Sequence, residues 1–356
     1  MKIGLMSAWN TNSGASIHAE FIGREWVKMG HNLTVFTFYR YSFHGTAIVG
    51  EDEDYVIRCF TTSNYKEPDL DARPFLTTDY EIFVTEDLGM LPYDLLAKIF
   101  YPHIKRKAKT VTVIHDGELK KDPRFYQFDW DAIVCFDERY EKWVKTAYPK
   151  DRVYVIPYPC HPLKLVSEDE KIKLREKFNL PINRKILFFF GPAAKYAVET
   201  IPVYIELSKK YPITLLLVSK NEEALSGFEK AKDKIDVIIK EETPSLSELY
   251  NYLHAVDALI FNKPSPRWVV LSSTLYQCIG SGTPIVALSS GFTEDFKDEI
   301  FKYKNFDELK NALIDIFEET ERFKKIRENA IKFVKERSAE KIARKFIELF
   351  EKLLES

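Results

Sequence analysis

The chain has 356 residues, 45% hydrophobic and 30% charged, a balance that excludes a disordered or low-complexity protein. Its 52 Lys and Arg against 54 Asp and Glu leave a net charge of −2, without the basic surplus of a general nucleic-acid binder, so no nucleic-acid partner is expected. No apolar run reaches the ~18 residues that span a bilayer, and residues 1–6 lead straight into polar Ser and Asn rather than a leader-like stretch, which predicts a cytoplasmic protein, at most peripheral to the inner face of a membrane.

In chain order, short β-branched runs occupy residues 2–5, 33–38, 82–85, 110–114, 132–136 and 153–156. Five more follow at 186–190, 213–218, 235–239, 258–261 and 285–288. Each is strand-length and apolar throughout, the pattern of strands buried on both faces of a parallel sheet. Helical spacing lies between many of them: Ala19, Ile22, Trp26 and Met29 share one face. The alternation predicts an α/β protein with two doubly wound Rossmann-like sheets facing across a cleft. The break falls at Ile156-Pro157-Tyr158-Pro159-Cys160-His161-Pro162, where three prolines exclude a helix or central strand. The expected domains are 1–160 and 161–335, joined by a hinge. A charged amphipathic helix is expected over residues 168–178. A terminal helix over 336–356, with Ile342, Phe346, Leu349, Phe350 and Leu353 on one stripe, is expected to dock on one of the domains, the first being one option.

In open α/β sheets ligands bind beyond the carboxyl ends of the strands, so the loops there are the candidate sites. Residues 7–16 form a polar loop opening a helix, where Gly14 permits close approach of an anion; an ordinary capped turn is the alternative. His115-Asp116 follows the run 110–114, and a histidine there can hydrogen-bond a sugar hydroxyl or carry a proton; Asp116-Gly117 also reads as plain turn chemistry. Gly191 and Lys195 follow the first strand of the second domain, where an ammonium suits a diphosphate. Arg267, then Ser272, Ser273 and Thr274, precede a short helix ending at Gly280-Ser281-Gly282; the serines are helix caps whose groups can also hold phosphate oxygens. Cys59, Cys135, Cys160 and Cys278 are far apart and form no Cys-x-x-Cys pair, and the seven histidines include no His-Glu-x-x-His, so neither a zinc knuckle nor a redox motif is indicated. Only Gln127 and Gln277 represent glutamine, while Lys and Glu abound, a bias that fits a thermophilic source.

At Pro264-Ser265 and Gly282-Thr283-Pro284-Ile285-Val286 the chain resembles the retaining GT-B glycosyltransferases of the family-4 type. Gly291-Phe292-Thr293-Glu294, Ser247-Glu248-Leu249-Tyr250 with Ala255-Val256-Asp257, Val153-Tyr154-Val155-Ile156-Pro157, and Ser13-Gly14 with His18 and Gly30-His31 match further motifs in order. The resemblance implies a metal-independent hexosyltransferase with no cofactor, a nucleotide-sugar donor, and a saccharide or lipid acceptor. It assigns His115 and Asp116 to catalysis, and Gly14, Gly191, Lys195, Arg267, Ser272, Ser273, Thr274, Gln277 and Glu294 to the donor. Two donor-site glutamates of that family have no counterpart here: Trp268 or Val269 and Tyr276 or Gln277 stand near their places, and Pro192 stands for its Arg, with Lys263 as a further candidate cation. The alternative is a catalytically degenerate GT-B protein that binds a glycan, a nucleotide or a partner. An epimerase of the same fold ranks last. Residues 39–41 and 101–109 read either as a membrane-facing surface or as ordinary α/β surface.

Overall fold

The computed structural model describes residues 1–42 and 50–356. The chain divides into two compact units, Met1–Pro159 with Arg337–Ser356, and Cys160–Glu336.

The first unit holds seven strands: β1 (Lys2–Met6), β2 (Asn32–Phe38), β3 (Val56–Phe60), β4 (Ile82–Glu86), β5 (Lys109–Val113), β6 (Ala132–Cys135) and β7 (Val153–Val155). They pair in parallel in the order β3-β2-β1-β4-β5-β6-β7. The second unit adds β8 (Lys185–Phe190), β9 (Ile213–Val218), β10 (Asp236–Lys240), β11 (Ala258–Phe261), β12 (Ile285–Leu288) and β13 (Phe301–Tyr303). Their order is β10-β9-β8-β11-β12-β13, again parallel. The expected doubly wound architecture is present in both units. The order in which strands are added along each sheet reverses once, between β1 and β4 and between β8 and β11, and crossovers on opposite sides of such a point leave a crevice at the carboxyl ends.

Eleven strands coincide with the apolar runs. The two that those runs miss, β3 and β13, are edge strands. Arg58 interrupts β3, its guanidinium bonding Asp52 at 2.6 and 2.7 Å and Phe38 O at 2.7 Å. β13 is three residues with Lys302 at its centre. An edge strand with one open side has no need of an unbroken apolar sequence.

The helix Gly14–Lys28 follows β1 and buries Ala15, His18, Ala19, Ile22 and Trp26. The C-terminal helix Ala339–Glu355 packs on it, burying Ile342, Phe346, Leu349, Phe350 and Leu353. Trp26 donates its indole N–H to Ala343 O at 3.2 Å and meets the rings of Phe346 and Phe350 edge-on. The helix Glu168–Lys177 is closed by a reciprocal Ser167–Glu170 cap. It lacks the apolar face expected of it. Its anchor is buried Arg175, which bonds Ala255 O, Ile182 O and the Asp257 carboxylate at 2.7–2.8 Å. All four cysteines are buried free thiols. Among the described residues no helix is long and apolar enough to cross a membrane.

Candidate functional site

In the second unit the loops after β8 and β11 meet at the switch point. Residues 190–196 and 260–263, with Ser272 and Thr274, line a cavity of about 290 Å³. Gly191 stands at φ +66° and ψ −169°, a region open in practice only to glycine. Its amide bonds Val218 O at 3.0 Å, and its carbonyl accepts from the Ser219 hydroxyl at 2.9 Å. These bonds hold the turn that carries Lys195 over the cavity wall.

Two ammonium groups line this cavity, and their surroundings differ. Lys195 pairs with Glu223 at 3.2 Å. Lys263 lies over the Phe292 ring, 4.3 Å from its centroid, with no carboxylate partner among the described residues. Burial pushes the Lys263 pKa down. Asn262, also in the wall, donates to Thr200 Oγ1 at 3.3 Å, while its own Oδ1 is sealed without a donor. A buried acceptor left bare is costly. Ser272 caps the short helix Ser273–Cys278, accepting from Leu275 N at 3.3 Å. That helix ends against the chain entering the unit: Lys164 N bonds Gly280 O at 2.8 Å, and a Cβ on Gly280 would come within 2.5 Å of His161 O.

Of the residues that the sequence assigns to the donor, Gly191, Lys195, Ser272 and Thr274 therefore converge. Arg267 and Glu294 are exposed; neither they nor Ser273 and Gln277 line the cavity. The Gln277 carbonyl accepts from the Tyr250 hydroxyl at 2.9 Å. Gly14 lies in the first unit, where its carbonyl accepts from the Tyr158 hydroxyl at 2.8 Å.

The first unit carries a second cluster at its own switch point. Glu86 ends β4, His115 follows β5, and His18 lies on the helix after β1. His18 Nδ1 is 2.8 Å from Glu86 Oε1, and His115 Nε2 is 2.7 Å from Glu86 Oε2. His18 and Glu86 are sealed, and the His115 side chain is 12% exposed. Burial drives the Glu86 carboxyl up to about 7, opposed by the His115 hydrogen bond, and drives His18 down to about 3. His115 is lowered too, chiefly by burial. The next residue, Asp87, takes a left-handed backbone at φ +52°. Its carboxyl is raised to about 7 by burial and by the charge of Asp116. Asp116 pairs with Lys120, while its Oδ2 is buried without a partner. A cavity of about 430 Å³ adjoins this loop, with Ser63, Tyr93, Lys120, Lys121 and Phe125 in its wall.

Glu86, Asp87 and Asn262 are absent from the sequence-based assignment. Glu86-Asp87 directly follows the apolar run 82–85, so two acids at a strand's carboxyl end were the available signal.

No protein-family model matches the chain. Solved structures match it over nearly its whole length. HepE from Anabaena, in complex with UDP, aligns over 99% of this chain and 100% of its own, with a TM-score of 0.69 at 14% identity. The pneumococcal O-GlcNAc transferase GtfA, in complex with UDP and GlcNAc, covers 100% and 99%, with a TM-score of 0.64 at 11% identity. A glycosyltransferase from Rickettsia africae covers 99% and 98%, with a TM-score of 0.65 at 15% identity. At these identities the likeness shows the fold, and the fold is GT-B.

Proposed function

We propose that this GT-B chain transfers a glycosyl group from a nucleotide-sugar, a uridine diphosphate sugar first among them, to a hydroxyl acceptor. The observation that carries the reading is the convergence of Gly191, Lys195, Lys263, Ser272 and Thr274 on one cavity at the switch point of the second sheet. Sheets of this type bind nucleotides there, and the structural neighbours in complex with UDP point to that base. When the bond from the anomeric carbon to the diphosphate breaks, negative charge grows on the leaving group. Lys263 and Lys195 are the groups at hand to stabilise it, so the reaction is read as metal-independent, and as retaining from the family resemblance. His115 meets the transferred sugar or the acceptor, and the first unit's cavity beside Asp116 and Lys120 takes the acceptor, a saccharide or a lipid-linked one.

The test is a thermal-shift series with UDP, GDP, ADP and CMP and their sugar conjugates, in EDTA. A ligand at 100 times its Kd adds about 2.7 kcal/mol of stability. A UDP-selective shift that survives EDTA is expected. Folded protein that responds to none of them overturns the reading. One observation favours a second reading, a GT-B protein that binds without transfer: Trp268 or Val269 and Tyr276 or Gln277 stand where the resembling family has its two donor-site glutamates. A UDP shift with no turnover of any UDP-hexose would select it.

A further inference from the structure

Glu86 offers two oxygens and both are taken by imidazole nitrogens, at 2.8 Å from His18 and 2.7 Å from His115. Ionised, as it is above about pH 7, the Glu86 carboxylate can only accept, so each imidazole then turns an N–H towards it. His18 is then the Nδ1–H tautomer and His115 the Nε2–H tautomer. His18 Nε2 is buried and has no partner. In this arrangement it is a bare lone pair and not an orphaned N–H, and buried donors without partners are the rarer defect in folded proteins. His115 Nδ1 is bonded to none of the described residues and is not sealed from solvent. The His115 ring is fixed edge-on between Phe136 at 4.9 Å and His18 at 5.5 Å.

We propose that Glu86 is a positioning residue that locks His115 in the Nε2–H tautomer, so that its free Nδ1 meets a sugar hydroxyl as a hydrogen-bond acceptor. The proposal rests on the glycosyl-transfer reading for the hydroxyl and on geometry alone for the tautomer. His18 is the second brace: it occupies the other oxygen of Glu86 and keeps the carboxylate plane from rotating away from His115. A shared metal ion is the competing explanation for two histidines and a glutamate in one place. The spacing argues against it. Ligands at 2.0–2.1 Å from a tetrahedral zinc stand roughly 3.3 Å apart, whereas these N–O pairs are at hydrogen-bond length.

The experiment is a long-range ¹H–¹⁵N correlation spectrum of full-length, ¹⁵N-histidine-labelled protein at pH 8, assigned with His18→Gln and His115→Gln. The expected spectrum shows His115 protonated on Nε2 and His18 on Nδ1. In Glu86→Gln the amide presents one acceptor and one donor, so one of the two imidazoles changes tautomer. UDP affinity, read in the other unit, stays within about twofold, while kcat for transfer falls by up to about tenfold, the size of one hydrogen bond. Wild-type His115 protonated on Nδ1, unchanged tautomers in folded Glu86→Gln, or one equivalent of zinc in the purified protein overturns the proposal. The wild-type spectrum decides even where Glu86→Gln fails to fold. The tautomers are read without turnover, so loss of the transfer reading and loss of the Glu86 role give different results.

Discussion

Lys195 Nζ sits 3.2 Å from Glu223 Oε2, so one of the two ammonium groups on the donor cavity already has a counter-charge. Lys263 has none among the described residues and lies against the face of Phe292. An ammonium held near a ring and partly desolvated gains more from an arriving diphosphate than one that must first share a carboxylate. Lys263→Ala should therefore weaken UDP binding by about 1.5–3 kcal/mol, the size of one charge-assisted hydrogen bond. Lys195→Ala should cost less. Calorimetric titration of UDP into both variants checks the order, and equal affinities would remove Lys263 from the site.

Gly191 has nothing within 4 Å of the place a Cβ would take. A side chain there meets no clash, and the whole cost of Gly191→Ala is the backbone at φ +66° and ψ −169°. Such a residue stores about 1–3 kcal/mol when it is not glycine. Urea unfolding of the variant should show a loss of that size, or UDP affinity should fall because the turn relaxes away from Val218 and Ser219. An unchanged stability together with unchanged affinity would mean that the turn is not held as described.

The central strands were legible because burial on both faces leaves an unbroken apolar run, as in Ile213–Val218, all of it buried. β3 was not, because Arg58 at a sheet edge is stabilised by Asp52 and the Phe38 carbonyl, partners that no local pattern announces. The donor loop was legible in part. Gly191, Lys195, Ser272 and Thr274 follow strands or cap a helix, positions that sequence can mark. Lys263 was a candidate cation, but Asn262 was not: it belongs to the cavity because β11 pairs with β8, a long-range relation with no sequence period. Glu86 was hidden for the same reason: its partners are 68 residues upstream and 29 downstream. His18 matched a motif, but nothing in that motif says that a carboxylate will meet it.

The C-terminal helix closes the first unit through aromatic contacts. Phe346 is fully buried, with ring centroids 5.9 Å from both Trp26 and His18 and 6.0 Å from Phe350. Phe346→Ala opens a cavity between two helices and should cost about 3–5 kcal/mol. Because the helix belongs to the first unit, calorimetry should show the loss in that unit's transition and leave the second in place. A variant that melts like the parent in every transition would place the helix outside the first unit's core.

The buried cluster also sets a pH dependence whose sign can be worked out. His18 falls from 6.5 to about 3 on folding, so below 6.5 the unfolded chain binds a proton that the folded one refuses. Its term destabilises the folded state as pH falls, by about 1.4 kcal/mol per unit. His115 is lowered and acts in the same sense. Glu86 rises from 4.5 to about 7, so the folded state holds the extra proton; its contribution is present below 4.5 and is lost as pH rises through 7. Between about pH 5 and 6.5 the histidine terms oppose those of Glu86 and of Asp87, whose carboxyl burial also raises to about 7. His18→Phe keeps an aromatic ring in the same aromatic surroundings and removes one of the two histidine terms. The slope of unfolding free energy against pH in that window should then be lower than the parent's by about one proton. Urea unfolding at half-unit steps of pH measures it. Parallel slopes for the two proteins would mean that His18 is not held neutral in the folded state.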